Sequence, residues 1–224
     1  MTDAGPPLAA LAALVRDGDR VVAGGLPLWR KPIALVRAVA AAGRRSLRYS
    51  AFLASLDAEI LAAAGCLAEL EYGYLGRDVL GISRALSTTD DLDRRLRTEF
   101  EYWAALRATA TGVATLPDAF GRPVPAARYD VCLLHAALID GAGDVHSCPL
   151  DAMEEDDRLL AGAADRVLVT VERRVRVAPP GSVLLLPAAE VTAVAVQPGG
   201  ARPLGMAGAY PPDLDLIDAA GARP

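Results

Sequence analysis

Short apolar runs alternate with stretches of helical periodicity along most of this chain. Five of the runs have the length and the β-branched and aromatic content of strands: RVVAGG, SLRYSAF, LAELEYGY, YDVCLLHAALI and ADRVLVTVE. Helical patterns cover residues 8–16, 32–43, 55–64 and 101–111. Strands that alternate with helices predict an α/β fold, with an open, mostly parallel sheet and helices on both of its faces.

The remaining segments are less regular. RRLRTEF predicts a further strand, residues 112–128 contain several glycines and prolines and predict an irregular loop, and SVLLLPAAEVTAVAV predicts two strands separated at Pro187. From Pro198 onward, scattered Pro and Gly predict a mostly irregular tail. No internal repeat or linker divides the sequence, so we expect one domain spanning residues 1–224.

The composition argues against several classes of protein. A formal net charge of −5 does not favour binding to nucleic acid. Three cysteines are too few, and odd in number, for a disulfide framework, so free thiols in a reducing cytoplasm are expected. The N-terminal segment MTDAGPPLAALAALVRDGD indicates an amphipathic helix rather than a signal peptide, and no apolar run approaches the ~20 residues of a membrane span. We therefore expect a cytoplasmic protein with no membrane or nucleic-acid partner.

Paired glycines follow the first predicted strand, in the sequence AGGLP. A dinucleotide-binding loop requires a third glycine and a Walker loop requires Gly-Lys-Ser/Thr, whereas Gly24-Gly25 is followed by Leu26 and Pro27. A nucleotide phosphate loop is therefore not expected. Glycines at the carboxyl end of a parallel strand permit positive φ and let a ligand approach the backbone closely. A tight turn without any ligand explains them equally well.

Two further segments contain residue types that occur in catalytic or metal sites. Asp144, His146 and Cys148 alternate along DGAGDVHSC, but alternate residues without a second Cys/His pair do not make a tetrahedral metal site. A structural turn is favoured there, and no metal is expected. His135 lies within an apolar strand, where a buried histidine hydrogen-bonded across the strand ends is the simpler interpretation.

Carboxylates occur at the predicted junction between the fourth strand and the following helix, in TEFEYW. Thr98 and Glu101 have the spacing of a capping box, and carboxylates near a helix N-terminus interact favourably with the helix dipole. A structural role is therefore favoured. Glu99, close to Tyr102 in the sequence, can also face a pocket and act as an acid or base.

Several segments, taken in order, resemble one known family: VRDGDRVVAGGLPLWRKPIALVRAV, AAGCLAELEYGYLGRDVLG, DVCLLHAALIDGAGDV, AADRVLVTVE and VTAVAVQPGGARP. Across about residues 11–208, the chain resembles the alpha (A) subunit of the family I coenzyme A transferases, in particular the glutaconate CoA-transferase branch. The resemblance implies an α/β sheet of the CoA-transferase type in an enzyme of two related subunits, often α2β2. It also implies that a beta-subunit glutamate attacks the acyl-CoA thioester, giving an anhydride and then a glutamyl-CoA thioester.

The resemblance further implies that this chain shapes the acyl and CoA pocket. The candidate residues lie near the ends of predicted strands, at one edge of the sheet: Gly24, Gly25, Leu26, Ser50, Phe52, Tyr74, Glu99 and Ser147. Glycine backbone and the Ser50 hydroxyl are suitable donors to an oxyanion. Leu26, Leu28 and Phe52 are suitable apolar surface for adenine and pantetheine. Coenzyme A is expected as a substrate, with no permanently bound cofactor.

Two departures from the family bear on the substrate and on catalysis. The segment LPDAFGRPVPAARYDV is shorter than the loop that helps to wall the site in the glutaconate branch. The family's Glu-Tyr-Ser/Thr-Asn/Glu pattern appears here as Glu99-Phe100-Glu101-Tyr102, which makes Glu99 the candidate catalytic residue of this chain. A substrate carboxylate can be reached by Arg77 or Arg84, although solvated surface positions are the simpler interpretation of each.

The family also includes acyl-CoA ring hydrolases and glutaconyl-CoA-type decarboxylases, the latter with Cys in place of the beta-subunit Glu. The alpha chain alone does not separate transfer from hydrolysis or decarboxylation. A non-catalytic acyl-CoA-binding scaffold is a further alternative. The leading expectation is CoA transfer from a short or medium acyl-CoA to a carboxylic acid, with a beta-type subunit as the partner. The acyl group can be that of a dicarboxylate.

Overall fold

The computed structural model describes residues 6–27, 29–77, 81, 86, 91–147 and 154–200. The helices are α1 Leu8–Ala13, α2 Ile33–Ala41, α3 Leu56–Ala63, α4 Glu99–Ala110 and α5 Glu154–Gly162, with a 3-10 helix at Ala188–Glu190. The strands are β1 Arg20–Ala23, β2 Leu47–Ala54, β3 Leu67–Leu75, β4 Asp93–Leu96, β5 Thr115–Pro117, β6 Pro123–Pro125, β7 Tyr129–Ile139, β8 Val145–Ser147, β9 Ala164–Arg174, β10 Val183–Leu186 and β11 Ala193–Val196. Within these residues, no helix is both long and apolar enough to cross a membrane.

Parallel pairing runs through most of the main sheet, in the strand order β11-β9-β7-β1-β2-β3-β4. Strand β1 is short, and beyond its end β8 pairs antiparallel with the last residues of β7 and β10 pairs antiparallel with β8. Because the parallel strands point the same way, the segments after β1, β2, β3 and β4 all emerge at one edge of the sheet.

Apolar side chains cover both faces of the sheet, since the side chains of a strand alternate between faces. In β7, Val131 and Leu133 pack with residues of α1, α2 and α3, whereas Cys132 and Leu134 pack with residues of α4 and α5. The predicted open, mostly parallel sheet with helices on both faces is therefore confirmed. Strand β7 also has the predicted bounds, Tyr129–Ile139.

The structure differs from the prediction after β3. Strand β4 ends at Leu96, and Glu99 and Phe100 belong to α4, because the Thr98 side chain accepts a hydrogen bond from the Glu101 N–H and so begins the helix there. Residues 112–128, predicted as an irregular loop, contain the β5–β6 hairpin, in which Thr115 lies opposite Pro125. A hairpin accepts proline where the missing N–H would have pointed away from the partner strand.

Two elements near the carboxyl half were not predicted. Within DGAGDVHSC, Val145–Ser147 form β8 rather than a turn alone, because their backbone is paired on both sides by β7 and β10. Helix α5 begins in the acidic sequence EEDD and was not identified from its periodicity. The tail beyond residue 200 lies outside the described residues.

Candidate functional site

A cleft of about 530 Å³ opens at the edge of the sheet where the parallel strands end. Its lining comes from the segment after β1, from the ends of β2 and β3, and from the first residue of α4: Leu26, Pro27, Trp29, Phe52, Leu53, Tyr74 and Glu99. Four of the sequence-predicted site residues are thus brought together: Leu26, Phe52, Tyr74 and Glu99. The parallel register makes this possible, because it aligns the carboxyl ends of consecutive strands.

The position of the Phe52 side chain in the cleft depends on a glycine in β3. A Cβ atom on Gly73 would overlap the ring of Phe52 and would lie 3.1 Å from its Cζ atom, so only glycine leaves the ring its place. The Phe52 ring also packs against Tyr102 and Trp103 of α4, with centroid distances of 5.3 and 5.5 Å. These contacts fix Phe52 between the sheet and the helix.

Two exposed aromatic side chains form walls of the cleft. Trp29 is 44% exposed and Tyr74 is 39% exposed, although large aromatic side chains are usually much more buried. Their rings therefore offer apolar surface that the rest of the described chain does not cover. Burial of this surface by the apolar part of a small molecule would contribute favourably to the free energy of binding.

Glu99 is an exposed carboxylate at the rim of the cleft, on the first residue of α4. The predicted capping box is confirmed: Thr98 Oγ1 accepts from the Glu101 N–H at 3.3 Å, and Glu101 Oε2 accepts from the Thr98 N–H at 3.0 Å. The Thr98 backbone N–H and hydroxyl hold the pKa of the Glu101 carboxyl below its usual value. Glu101 therefore has the structural role, and the Glu99 side chain borders the cleft instead.

The two glycines after β1 are surrounded by the protein's own atoms. A Cβ on Gly24 would overlap Asp157 Oδ1 and lie 2.7 Å from Leu134 Cδ2. Gly25 has φ +86°, and a Cβ there would lie 2.5 Å from the Arg30 carbonyl oxygen. Gly24 is thus required by the close packing of Asp157 and Leu134 against it, and Gly25 by the positive φ of a tight turn. Neither is among the residues that line the cleft. Direct contact of Gly24 or Gly25 with a ligand stays a prediction.

Buried ion pairs hold the turn after β1 and the segment after β3. Arg30 pairs with Asp157 of α5, and Lys31 Nζ lies 3.1 Å from Asp57 Oδ2. Burial lowers the pKa of the Lys31 ammonium, and Asp57 opposes that effect. The solvated surface position favoured for Arg77 is wrong: the side chain is 2% exposed, and its Nε lies 3.1 Å from Glu59 Oε1. The guanidinium of Arg77 is therefore directed into the fold and does not line the cleft.

Ser50 lies in a buried polar cluster. Its hydroxyl donates to Glu71 Oε1 at 3.1 Å and lies 3.4 and 3.3 Å from the hydroxyls of Tyr102 and Tyr129, and Arg97 Nε lies 2.9 Å from Glu71 Oε2. Burial raises the pKa of Tyr129 to about 12. Ser50 is therefore engaged inside the protein, away from the position expected of an oxyanion donor.

Ser147, the last of the eight candidates, lies apart from the cleft. Ser147 is buried in β8, where Val183 of β10 is its register partner, and it is not among the lining residues. Leu28, Arg84 and Cys148, which the sequence also suggested, fall outside the described residues. Four of the eight candidate residues therefore line one cleft. The other four, Gly24, Gly25, Ser50 and Ser147, are packed among the protein's own atoms.

Both histidines are hydrogen-bonded within the fold, His135 in the buried position that the sequence favoured and His146 in strand β8 rather than in a turn. His135 is buried, with Nδ1 2.9 Å from Thr170 Oγ1 and Nε2 2.8 Å from Glu172 Oε1 on the neighbouring strand. His146 Nε2 lies 3.0 Å from Asp140 Oδ2, and Asp144 Oδ1 accepts from the Ala188 N–H at 2.8 Å. Over the described ranges, no group of three or more His, Cys, Asp or Glu is arranged to hold a metal ion.

Three lining residues, Pro27, Trp29 and Leu53, and the supporting Gly73 were not predicted from the sequence. Two signals were present: a tryptophan shortly after the glycine turn in GGLPLW, and a glycine inside a strand in LEYGYL. A strand glycine often marks close approach of another group, which here is the ring of Phe52. Leu53 offered no comparable signal, because a leucine in a strand is usually part of the core.

Comparison with known proteins gives a consistent result, although no family model matches the chain. The crystal structure of the decarboxylase AibA/AibB, in a cysteine-to-serine variant, is 31% identical with a TM-score of 0.80, covering 96% of this chain and 90% of that one. Glutaconate coenzyme A-transferase from Acidaminococcus fermentans is 22% identical with a TM-score of 0.81, covering 97% of this chain and 81% of that one; this is a likeness of fold.

A curated protein also matches in sequence. It is an uncharacterized protein of Archaeoglobus fulgidus, 26% identical over 191 residues, and the match covers 73% of this chain and 42% of that protein. The chain thus spans less than half the length of this curated relative. Its description assigns no activity, so it adds sequence similarity and no function.

Proposed function

The chain belongs to the family I coenzyme A transferases, and we propose that it is the alpha-type subunit of a heteromeric enzyme that acts on an acyl-CoA thioester by transferring CoA to a carboxylic acid. The observation that carries this proposal is the cleft at the carboxyl edge of the sheet, in which aromatic walls border one carboxylate, Glu99. A cleft of this kind can bury the apolar part of an acyl-CoA and leave its polar thioester at the rim.

The aromatic and aliphatic residues of the cleft have a binding role in this proposal. Leu26, Phe52 and Tyr74 contact the acyl or pantetheine part, and burial of each methylene group contributes about 0.8 kcal/mol. The turn at Gly24 and Gly25 positions Leu26 and Trp29, and Ser50 anchors β2 under α4. Ser147 supports β7 from β8, at a greater distance from the substrate.

Glu99 has the chemical role that this chain contributes. In the proposal its carboxylate lies beside the thioester, where it can accept or return a proton. The nucleophile that attacks the thioester carbonyl comes from the beta-type partner. As the beta-type carboxylate forms an anhydride with the acyl group, the C–S bond breaks and CoA leaves as its thiolate. The thiolate then attacks the carbonyl of the nucleophile itself, which releases the first acid and leaves CoA as a thioester on the enzyme. The second acid attacks that thioester to form a new anhydride, and the CoA thiolate attacks its acyl carbonyl, which gives the new acyl-CoA and frees the carboxylate of the partner. The fixed capping box at Thr98 supports this role because it holds the start of α4 in one position.

The test uses the complete chain co-expressed with a beta-type subunit from the same organism. Purified complex is incubated with a donor acyl-CoA and a free carboxylic acid, and newly formed acyl-CoA is measured by liquid chromatography and mass spectrometry. We expect CoA to move between at least one donor and acceptor, and Glu99→Gln to lower kcat by tenfold or more. Asp165→Asn serves as the control, because Asp165 is exposed at the start of β9, at the opposite edge of the sheet. Absence of transfer for every donor–acceptor pair would make transferase the wrong reaction.

Decarboxylation of an acyl-CoA is the second candidate, because the relative with 31% identity is a decarboxylase. The two reactions differ in their products: decarboxylation releases CO₂ and keeps the thioester, whereas transfer consumes a second acid. The same incubation without an acceptor acid separates them, and release of free CoA there would indicate hydrolysis instead. A partner with Cys at the nucleophile position would favour decarboxylation, and one with Glu would favour transfer.

A non-catalytic scaffold makes a different prediction. Such a chain would be a stable monomer that binds CoA esters without any partner. Size-exclusion chromatography of the chain, alone and with the beta-type subunit, distinguishes the two, since we expect the chain to form a stable complex with its partner.

A further inference from the structure

One wall of the cleft belongs to a connecting segment rather than to a strand or a helix. Leu26, Pro27 and Trp29 line the cleft and lie between β1 and α2. The Trp29 N–H donates to the Leu26 carbonyl oxygen at 3.2 Å, which closes a turn between two of these lining residues. Connecting segments are usually more mobile than the elements that they join, so a wall of fixed position needs contacts from outside the segment.

The backbone directly after Trp29 has a conformation that its residue does not favour. Arg30 has φ +57°, in the left-handed region that residues with a Cβ atom seldom adopt. Its carbonyl oxygen lies so close to Gly25 that a Cβ atom there would be 2.5 Å away. A strained conformation of this kind persists only where the surrounding structure imposes it. The direction of the chain at Trp29 therefore depends on whatever holds Arg30.

Asp157 of α5 makes that contact from a distant part of the sequence. Its carboxylate pairs with the Arg30 guanidinium, and the two side chains are 1% and 3% exposed. Its other carboxylate oxygen, Oδ1, packs against Gly24 at the start of the same turn. A buried guanidinium that loses its counter-ion is strongly unfavourable, so Asp157 fixes Arg30 and, with it, the end of the turn.

The start of α5 is also close to the opposite side of the cleft, at Glu99. Helix α5 packs against α4, and Asp156, next to Asp157, is partly buried. Burial raises the pKa of the Asp156 carboxyl, and the charges that act on it include Glu99 of α4 and Arg30 of the turn. One turn of helix thus lies within electrostatic reach of both sides of the cleft.

From these observations we infer that Asp157 is a positioning residue of the candidate site: through Arg30, it holds the turn that places Trp29 as a wall of the cleft. Asp157 is not among the described residues that line the cleft, so it acts on a ligand only through the turn. Where it concerns acyl-CoA, the inference rests on the proposed function. A displaced Trp29 ring offers less apolar surface to the substrate, whereas Glu99 keeps its place on α4.

Fluorine NMR reports the surroundings of the Trp29 ring without any need for activity. The chain has two tryptophans, Trp29 and Trp103; it is labelled with fluorotryptophan and studied alone and with its unlabelled beta-type partner. Asp157→Asn, which keeps the shape and removes the charge, should shift and broaden the Trp29 signal and change the Trp103 signal much less. The matched control, Asp19→Asn, removes the carboxylate of an ion pair with Arg166 just before β1, at the opposite edge of the sheet. It should leave the Trp29 signal unchanged.

Two double variants separate positioning from general loss of stability. Arg30→Gly and Arg30→Ala are each combined with Asp157→Asn, so that neither protein contains a buried unpaired cation at this place. Glycine adopts positive φ without strain and alanine does not. The glycine variant should therefore keep the Trp29 signal near its wild-type position, and the alanine variant should shift it. The pair also gives the answer if Asp157→Asn alone does not fold.

The kinetic effect should fall on binding rather than on the chemical step. In the transfer assay with the beta-type partner, Asp157→Asn should raise the KM for acyl-CoA about fivefold and change kcat about twofold or less, as expected for lost contacts that ground state and transition state share. The double variant with Arg30→Gly should recover most of the KM. A loss confined to kcat would contradict a role through Trp29.

The outcomes separate failure of this inference from failure of the proposed function. An unchanged Trp29 signal in Asp157→Asn would overturn the inference whether or not the complex is active, and so would equal shifts in the glycine and alanine variants. If the Trp29 signal behaves as expected but the wild-type complex neither binds nor converts any acyl-CoA, the proposed function fails while the role of Asp157 in placing Trp29 stands.

Discussion

The ring of Phe52 lies across Gly73 of the neighbouring strand, in the space that the Cβ atom of any other residue would need. This contact joins β2 to β3 at the floor of the cleft and leaves Phe52 packed against Tyr102 and Trp103. The glycine thus determines where an aromatic side chain of the candidate site is held.

Gly73→Ala should therefore destabilise the protein and distort the cleft. Forcing a methyl group into a filled space costs about 1–3 kcal/mol, measured as the free energy of unfolding in urea. Gly162→Ala is the control, because a Cβ there has no neighbour within 4 Å. The double variant Gly73→Ala, Phe52→Leu should recover part of the loss. Equal stability of the two single variants would show that the Phe52 ring moves aside freely.

Gly25→Ala should destabilise the protein more than Gly18→Ala. Both glycines have positive φ, at +86° and +78°, but only at position 25 would the Cβ meet backbone, 2.5 Å from the Arg30 carbonyl oxygen. At position 18 we expect the free energy of unfolding to fall by about 1–2 kcal/mol because of the positive φ alone. At position 25 we expect a clearly larger fall. Thermal and urea unfolding measure both. A Gly25 variant that keeps its stability and loses activity would instead favour direct contact with a ligand.

Stability at alkaline pH should depend on Tyr129. Burial raises its pKa from 10.0 to about 12 in the folded protein, so the folded state keeps a proton that the unfolded chain loses. The stability linked to this proton is fully present below pH 10 and is lost as the pH rises through 12. In wild type, Tyr129 should contribute a fall of about 1.4 kcal/mol per pH unit over that window. Unfolding of wild type and Tyr129→Phe in urea at several pH values gives the difference in slope, and parallel curves would contradict the assignment.

Thr98→Ala should weaken the start of α4 and so affect Glu99. Loss of an N-cap side chain costs about 0.5–2 kcal/mol, and Thr98→Ser should keep most of the stability because its hydroxyl can accept the same hydrogen bond. Thr111→Ala, at the other end of α4, is the matched control, with a hydroxyl that bonds the Arg107 carbonyl oxygen at 2.8 Å. In the complex, Thr98→Ala should also lower kcat. A kcat unchanged by loss of the cap would argue against a catalytic role for Glu99.

Lys31→Met should be strongly destabilising, although the new side chain is apolar and similar in length. It removes the cation beside Asp57 and leaves a buried carboxylate that accepts from the Tyr49 hydroxyl at 2.6 Å. Breaking a buried ion pair from one side costs about 3–5 kcal/mol. The double variant Lys31→Met, Asp57→Asn should be more stable than Lys31→Met alone, as measured by urea unfolding. A Lys31→Met protein as stable as wild type would mean that the pair contributes little.

The sequence predicted those features that depend on neighbours along the chain. Alternation of apolar runs with helical periodicity predicted the parallel sheet, and the spacing of Thr98 and Glu101 predicted the capping box. Position within an apolar strand predicted a buried His135. The resemblance to a family, carried by ordered segments, is confirmed by a relative with 31% identity over nearly the whole chain. All of these follow from short-range geometry or from similarity that the sequence itself contains.

The tertiary structure alone decided which candidates share a site. Leu26, Phe52, Tyr74 and Glu99 meet because four parallel strands end at one edge, whereas Ser50 is drawn into a buried cluster by Glu71 on the next strand. Gly24 is a glycine because Asp157, distant in sequence, lies against it. Such contacts depend on packing between segments far apart in the chain, and local periodicity contains no information about them.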